Sequence, residues 1–145
     1  MGILERFMAY AQDFERTYRD DDWSRLAPYF APDATYEVRN IPSPCVLRGQ
    51  EAIFRGIKKS LDGFDRKLVR EIGVVAPPTV DGDTLTLRWT ATYTKPGAPP
   101  LTTHGCSVAR YAGDVIVSLI DTFEADPAVA AWLEAQDRDL RLSYV

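Results

Sequence analysis

The 145-residue chain is 46% hydrophobic and 26% charged, with a formal net charge of −4, one histidine and two cysteines. That size fits one domain over 1–145 with a single core, and the acidic balance excludes the basic footprint of a nucleic-acid partner. His104, Cys45 and Cys106 form no CxxC, HExxH or EF-hand spacing and no GxSxG surrounds a serine, so neither a metal, nor a cofactor, nor a serine-hydrolase triad is expected.

From Gly2 to Arg19 the apolar residues Leu4, Phe7, Met8, Ala11, Phe14 and Tyr18 recur at three- and four-residue steps and predict an amphipathic helix. Its start reaches Glu5 and Arg6 too soon for a signal peptide, and no run of about eighteen apolar residues follows anywhere, so a soluble cytoplasmic protein with two free thiols and no membrane contact is expected. Asp20-Asp21-Asp22 interrupts the pattern as a solvated corner. Asp22 is placed to cap a short helix holding Trp23, Leu26, Ala27 and Phe30, which Pro28 kinks.

Asp33 to Asn40 alternates as a strand, with Tyr36 and Val38 on one face, and the prolines of IPSPC predict an irregular loop. A third helix after Gly49 carries Ile53, Phe54, Ile57 and Leu61 on one side and ends at Gly63. Strands are predicted at Lys67–Ala76, Thr84–Thr94, Leu101–Tyr111 and Val115–Glu124, separated by the turns at Gly82 and Gly113 and by the loop KPGAPP. Asp126-Pro127 then opens a final helix with Val129, Trp132 and Leu133. Helices followed by a meander predict a segregated α+β domain, with a curved antiparallel sheet wrapped over helices and a conical pocket at its open end.

Three strings carry a family likeness: DDWSRLAPYFAPDATYEV, the GQEAI that opens the third helix, and GDVIVSLIDTFEAD. Together they resemble the nuclear transport factor 2-like superfamily, and within it the SnoaL-like branch, which includes polyketide cyclases. The resemblance implies a cone-like α+β barrel with a hydrophobic pocket, and a homodimer through the outer face of the sheet. Fold alone does not choose a reaction. Ketosteroid isomerase-like members use a strand aspartate, a tyrosine and a neutral aspartate, whose positions align with Val38, Phe14 and Ser107, so that mechanism is not expected. SnoaL-type cyclases place their carboxylate on the strand that here carries Ser107. Scytalone dehydratase-like members need cavity histidines, and only His104 exists. Limonene epoxide hydrolase-like members hold a water with Tyr, Asn and Asp, which Tyr36, Asn40 and Asp121 resemble with a different spacing, while Arg88-Trp89-Thr90 lacks the partner carboxylate.

Strand parity selects the pocket face. Leu85, Leu87, Trp89, Ala91 and Tyr93 share the inner face of their strand and leave Arg88 and Thr90 outside; Val115, Val117, Leu119, Asp121 and Phe123 share the inner face of the last strand. The alignment with the ketosteroid isomerase-like members implies that Ser107 is inward, and parity along its strand then puts His104 outward. Asp121 is the anomaly, a carboxylate on an apolar face, and such a group is paired, neutral or hydrated. One expectation is an isomerase, cyclase or hydrolase with Asp121 as general acid or base, assisted by Tyr36 and Asn40. Phe14, Tyr18, Val38, Trp89, Tyr93, Ser107 and Phe123 would then bind a small apolar or polycyclic metabolite. The alternative is a non-catalytic ligand-binding or dimerisation domain, in which Asp121 would be bonded to backbone with no cavity beside it.

Overall fold

The first helix forms where periodicity predicts it, but its buried stripe is shifted. In the computed structural model, which describes residues 2–136 and 140–145, α1 (Ile3–Asp20) buries Phe7, Tyr10 and Thr17. Leu4 and Met8, expected in the stripe, are exposed. The stripe runs through Phe7, Tyr10, Phe14 and Thr17, which keep the 3.6-residue period along the whole helix.

The acidic corner is ion-paired. Asp20 accepts from Arg25 at 2.7 Å, and Asp21, in the left-handed region at φ 59°, accepts from Arg66 at 2.8 Å. Asp22 caps no amide, contrary to expectation; its carboxylate accepts from the Ser24 hydroxyl at 2.5 Å. The segment Trp23–Tyr29 is a 3-10 helix, as Pro28 favours, and Phe30 belongs instead to the next strand.

That strand, β1 (Phe30–Arg39), starts before the predicted Asp33. The loop expected for IPSPC ends at Cys45, which opens an unanticipated short strand, β2 (Cys45–Arg48), antiparallel to β1. Next comes α2 (Gln50–Gly63), burying Ile53, Ile57, Ser60 and Leu61. A single 3-10 turn at Asp65–Lys67 precedes β3 (Val69–Val74), so the predicted strand from Lys67 to Ala76 is shorter at both ends. The short β4 (Thr79–Asp81) folds onto β5 (Thr84–Thr94) across Gly82, whose φ of 61° suits glycine. Then follow β6 (Leu101–Ala112), β7 (Val115–Phe123) and α3 (Pro127–Ala135), where Asp126 accepts from the Ala128 amide at 2.9 Å.

The strands form one curved, open sheet in the order β2-β1-β7-β6-β5-β3, with β4 also on β5. Every pairing is antiparallel except β1 with β7, a departure from the all-antiparallel expectation. The chain passes through β2, α2 and β3–β6 between β1 and β7, and that long return permits the parallel alignment. α1 and α2 fill the concave side, where Phe7, Tyr10, Phe30, Tyr36, Ile53 and Leu119 belong to the principal core.

Parity holds along β5 and β6 and fails at the start of β7. Arg110 pairs with Ser118 but Tyr111 pairs with Ile116, which leaves Val117 as the extra residue of a bulge. Ile116 is therefore buried in place of Val115 and Val117, while Leu119, Asp121 and Phe123 keep the predicted face. His104 is outward and exposed. The two cysteines are unpaired and half-buried, and no helix among the described residues is long and apolar enough to cross a membrane.

Candidate active site

Strand register fixes the surroundings of Asp121. Ser107 is its direct partner on β6, Val38 its partner on β1, and Tyr36 lies two residues before Val38 on the same face. The Tyr36 hydroxyl donates to Asp121 Oδ2 at 2.7 Å, and the Ser107 hydroxyl donates to Oδ1 at 2.6 Å. Trp89 Nε1 donates to Ser107 Oγ at 2.9 Å. An indole N–H can only donate, so the serine oxygen accepts from it and turns its own proton toward the carboxylate.

Each Asp121 oxygen thus has one hydroxyl partner and keeps a lone-pair site for another group. Burial pushes the Asp121 carboxyl above the usual carboxylate range, and the hydrogen bonds from Ser107 and Tyr36 oppose that shift without cancelling it. Burial, and then the nearby Asp121 charge, raise the Tyr10 and Tyr36 phenols, which remain protonated donors.

The half-buried Asp121 faces a cavity of about 220 Å³ between α1, α2 and the concave face of the sheet. Aromatic and aliphatic side chains share its wall, the aromatic ones including Tyr10 and Phe14 from α1, Tyr36 from β1, Trp89 and Tyr93 from β5, and Phe123 from β7. The Trp89 and Phe123 rings meet edge to face at 5.2 Å, and Tyr144 packs on Tyr36 at 5.8 Å. Ile72 and Val74 of β3 line the cavity yet are exposed, which marks the rim.

A second carboxyl opens into the same space. Asp65 follows α2 and is only 8% exposed, and burial raises it to about 6 against the pull of Arg70 and Tyr93. Arg70, whose side chain is 8% exposed, donates to both Glu15 oxygens at 2.9 and 2.8 Å and lies 4.2 Å over the Tyr18 ring.

Of the residues proposed from the sequence, Asp121, Tyr36, Ser107, Trp89, Tyr93, Phe14 and Phe123 come together on this cavity. Three do not line it. Val38 is fully buried in the core. Tyr18 lies beneath Arg66 and Arg70. Asn40 is exposed at φ 61°, and its amide donates to the Phe123 carbonyl at 3.0 Å, so it acts as a turn residue that ties β1 to β7. Sequence reasoning missed Asp65, Arg70, Ser60 and Tyr144. For Asp65 the only available signal is an acid two residues after the helix-ending Gly63. Among the described residues no three metal-ligating side chains converge.

Comparison with known proteins agrees with this architecture. A ketosteroid isomerase-like fold from Catenulispora acidiphila, crystallised with trimethylamine, is 22% identical with a TM-score of 0.63, over 85% of this chain and 90% of that one. A proposed SnoaL-like polyketide cyclase from Jannaschia is 13% identical with a TM-score of 0.67, over 94% and 97% of the two chains. A protein of unknown function from Burkholderia pseudomallei with a nuclear transport factor 2-like fold is 14% identical with a TM-score of 0.67, over 94% and 100%. At these identities the likeness shows the fold alone and carries nothing about what this chain binds. No curated protein matches the sequence. The profile of the SnoaL-like domain, however, matches residues 11–119, most of the chain, and the protein belongs to that family.

Proposed function

We propose that the chain is a cofactor-independent small-molecule enzyme of the isomerase, cyclase or hydrolase kind, formed as one domain over 1–145, in which Asp121 is the general acid/base. One observation carries the reading: Asp121 is bonded to side-chain hydroxyls, not backbone, and faces an aromatic cavity. An Asp121 bonded to backbone with no cavity beside it would favour the non-catalytic alternative, and neither feature is present among the described residues. In the base form Asp121 takes a proton from substrate or from an attacking water, and in the acid form it returns it, while Tyr36 and Ser107 hold the carboxyl in place. The cavity volume of about 220 Å³ is below the range of about 300–1,000 Å³ common for drug-sized ligands, which favours a one-ring substrate over a polycyclic one. Asn40 stays outside this assignment because of its bond to Phe123.

The homodimer belongs to the same proposal. Val69 and Val75 are exposed, and the pairing of Val69 with Thr94 supports placing them on the outer face. Light scattering on the purified protein measures it.

The catalytic test uses a panel of one-ring ketones, enones and epoxides in D2O, with turnover and deuterium incorporation read by NMR. Asp121→Asn is expected to lower the rate on an accepted compound by about 100-fold or more while the protein stays folded. An undiminished rate in that variant would overturn the role.

A further inference from the structure

We infer that the Asp65–Ser60 end of the cavity binds the protonated nitrogen of a small, largely apolar amine, and that such amines are the substrate class presented to Asp121. The second clause rests on the reading of Asp121 as the group that faces bound substrate.

Asp65 is a buried carboxyl short of donors. Among the described residues, and apart from its own amide, its partners are the Tyr93 hydroxyl at 3.5 Å and Arg70 Nε at 4.0 Å. Charge-assisted hydrogen bonds to carboxylates normally lie near 2.7–2.9 Å, so neither contact satisfies it. The nearby cations are engaged elsewhere. Arg70 gives a terminal nitrogen to both oxygens of Glu15, and Arg66 is paired with Asp21 and Asp62. Among the described residues Asp65 therefore has only the distant edge of Arg70 as counter-ion, at the C-terminal end of α2, where the helix dipole also favours a positive group.

An independent observation points to the same missing group. The Ser60 hydroxyl, on the last turn of α2, lines the cavity, is 1% exposed and has no partner of normal geometry among the described residues, the Tyr144 phenol offering it only a loose contact. The Tyr144 phenol lies beside it, within reach of both the Asp65 and the Asp121 charges, so the two carboxyls face one space. A buried hydroxyl without a partner costs roughly 1–3 kcal/mol, and a ligand N–H removes that cost. An ammonium supplies several donors and a charge, whereas an alcohol could satisfy Ser60 only by leaving Asp65 uncompensated. The Tyr93 and Tyr144 rings are suited to a cation, and Trp89, Phe123 and Leu87 provide an apolar wall for the rest of the molecule. Because burial holds Asp65 near 6, a pairing ammonium that lowers it releases a proton when binding occurs below about pH 6.

The test compares benzylamine with its neutral counterpart benzyl alcohol by isothermal titration calorimetry on the full chain. The expected result is binding of benzylamine at least about tenfold tighter than of the alcohol near neutral pH. Both Asp65→Asn and Ser60→Ala should weaken the amine, and Asp65→Asn should leave the alcohol's affinity unchanged. Titrations in two buffers of different ionisation enthalpy should show proton release below about pH 6, absent in Asp65→Asn. No amine binding by the parent protein, equal affinity for the two compounds, or an equal loss of both in Asp65→Asn overturns the inference. Each of those outcomes leaves the Asp121 role standing, since that role is read separately from turnover by Asp121→Asn.

Discussion

Trp89 lies across Gly105, its direct partner on β6, and fills the volume that a side chain there would occupy. A Cβ built on Gly105 would come within 2.3 Å of the indole ring. The missing side chain lets the indole lie over the sheet and reach Ser107. Glycine within a strand weakens it, but here the close approach of a ring gives the position its reason. Gly105→Ala must displace Trp89 and break the donation to Ser107. Equilibrium urea unfolding should show a loss of about 1–3 kcal/mol, the usual cost of overpacking. Near-UV circular dichroism should change with the moved indole, and unchanged spectra with full stability would contradict the arrangement.

Tyr36 acts on Asp121 through one hydrogen bond, and that bond lowers the acid's pKa against the effect of burial. Tyr36→Phe keeps the ring and removes the donor, so the Asp121 carboxyl should titrate at still higher pH. If Asp121 serves as base, the rising limb of the pH–rate profile should move the same way. Carbon-13 NMR of labelled aspartate can follow the carboxyl directly. A titration that stays in place or moves downward would break the link between these two residues.

Asp65 makes folding stability depend on pH with a definite sign. Its carboxyl moves from an ordinary value of 3.8 to about 6 in the folded protein. Between those values the folded state holds more protons, so the stabilising contribution is complete below about pH 4 and is lost as pH rises through about 6. Two pKa units correspond to at most about 3 kcal/mol. The Asp20 and Asp21 carboxyls, lowered chiefly by hydrogen bonds from Arg25 and Arg66, have the opposite sign and act as pH falls below the usual carboxylate range. Comparing parent and Asp65→Asn therefore isolates one group. The variant should gain on the parent as pH rises from 4 to 8 in urea unfolding, and parallel curves would show that Asp65 has no raised pKa.

Much of the Asp121 side of the site is legible in the sequence because β5 and β6 alternate without interruption. Counting by twos puts Trp89 and Tyr93 on the inner face and, along the last strand, singles out Asp121, while the family alignment adds Ser107. It misassigns Val115 and Val117 because the bulge inserts a residue that no local signal marks. Asn40 is read as a candidate because its amide is chemically capable, but a residue at φ 61° just past β1 points its side chain to the neighbouring strand's end. Asp65 and Tyr144 stay hidden for another reason. Each belongs to a segment with no period, a single 3-10 turn or the stretch 140–145, and reaches the cavity only through tertiary packing. The short β2 is hidden similarly behind Pro42 and Pro44.

Residues 140–145 are held to α2 at two glycines, and that contact completes the cavity wall with Leu142 and Tyr144. The Arg141 amide donates to the Gly63 carbonyl at 2.9 Å. A Cβ on Gly63 would stand 2.8 Å from the Arg141 carbonyl oxygen, and one on Gly56 the same distance from that of Tyr144. In an open helix interior, glycine to alanine gains up to about 1 kcal/mol from propensity alone. Here the opposing atoms are backbone oxygens that cannot rotate away, so the segment must lift. Gly63→Ala should therefore destabilise despite the better helix former, with the effect concentrated on 140–145. Hydrogen exchange at the Arg141 amide should accelerate by an order of magnitude or more while amides in the β5–β6 ladder keep their protection. Tyr144 would then leave the Ser60 end of the cavity, and fluorescence quenching of the tyrosines by acrylamide should rise in the variant. If Arg141 exchanges at the parent rate and the variant is more stable, the segment is not held by these glycines.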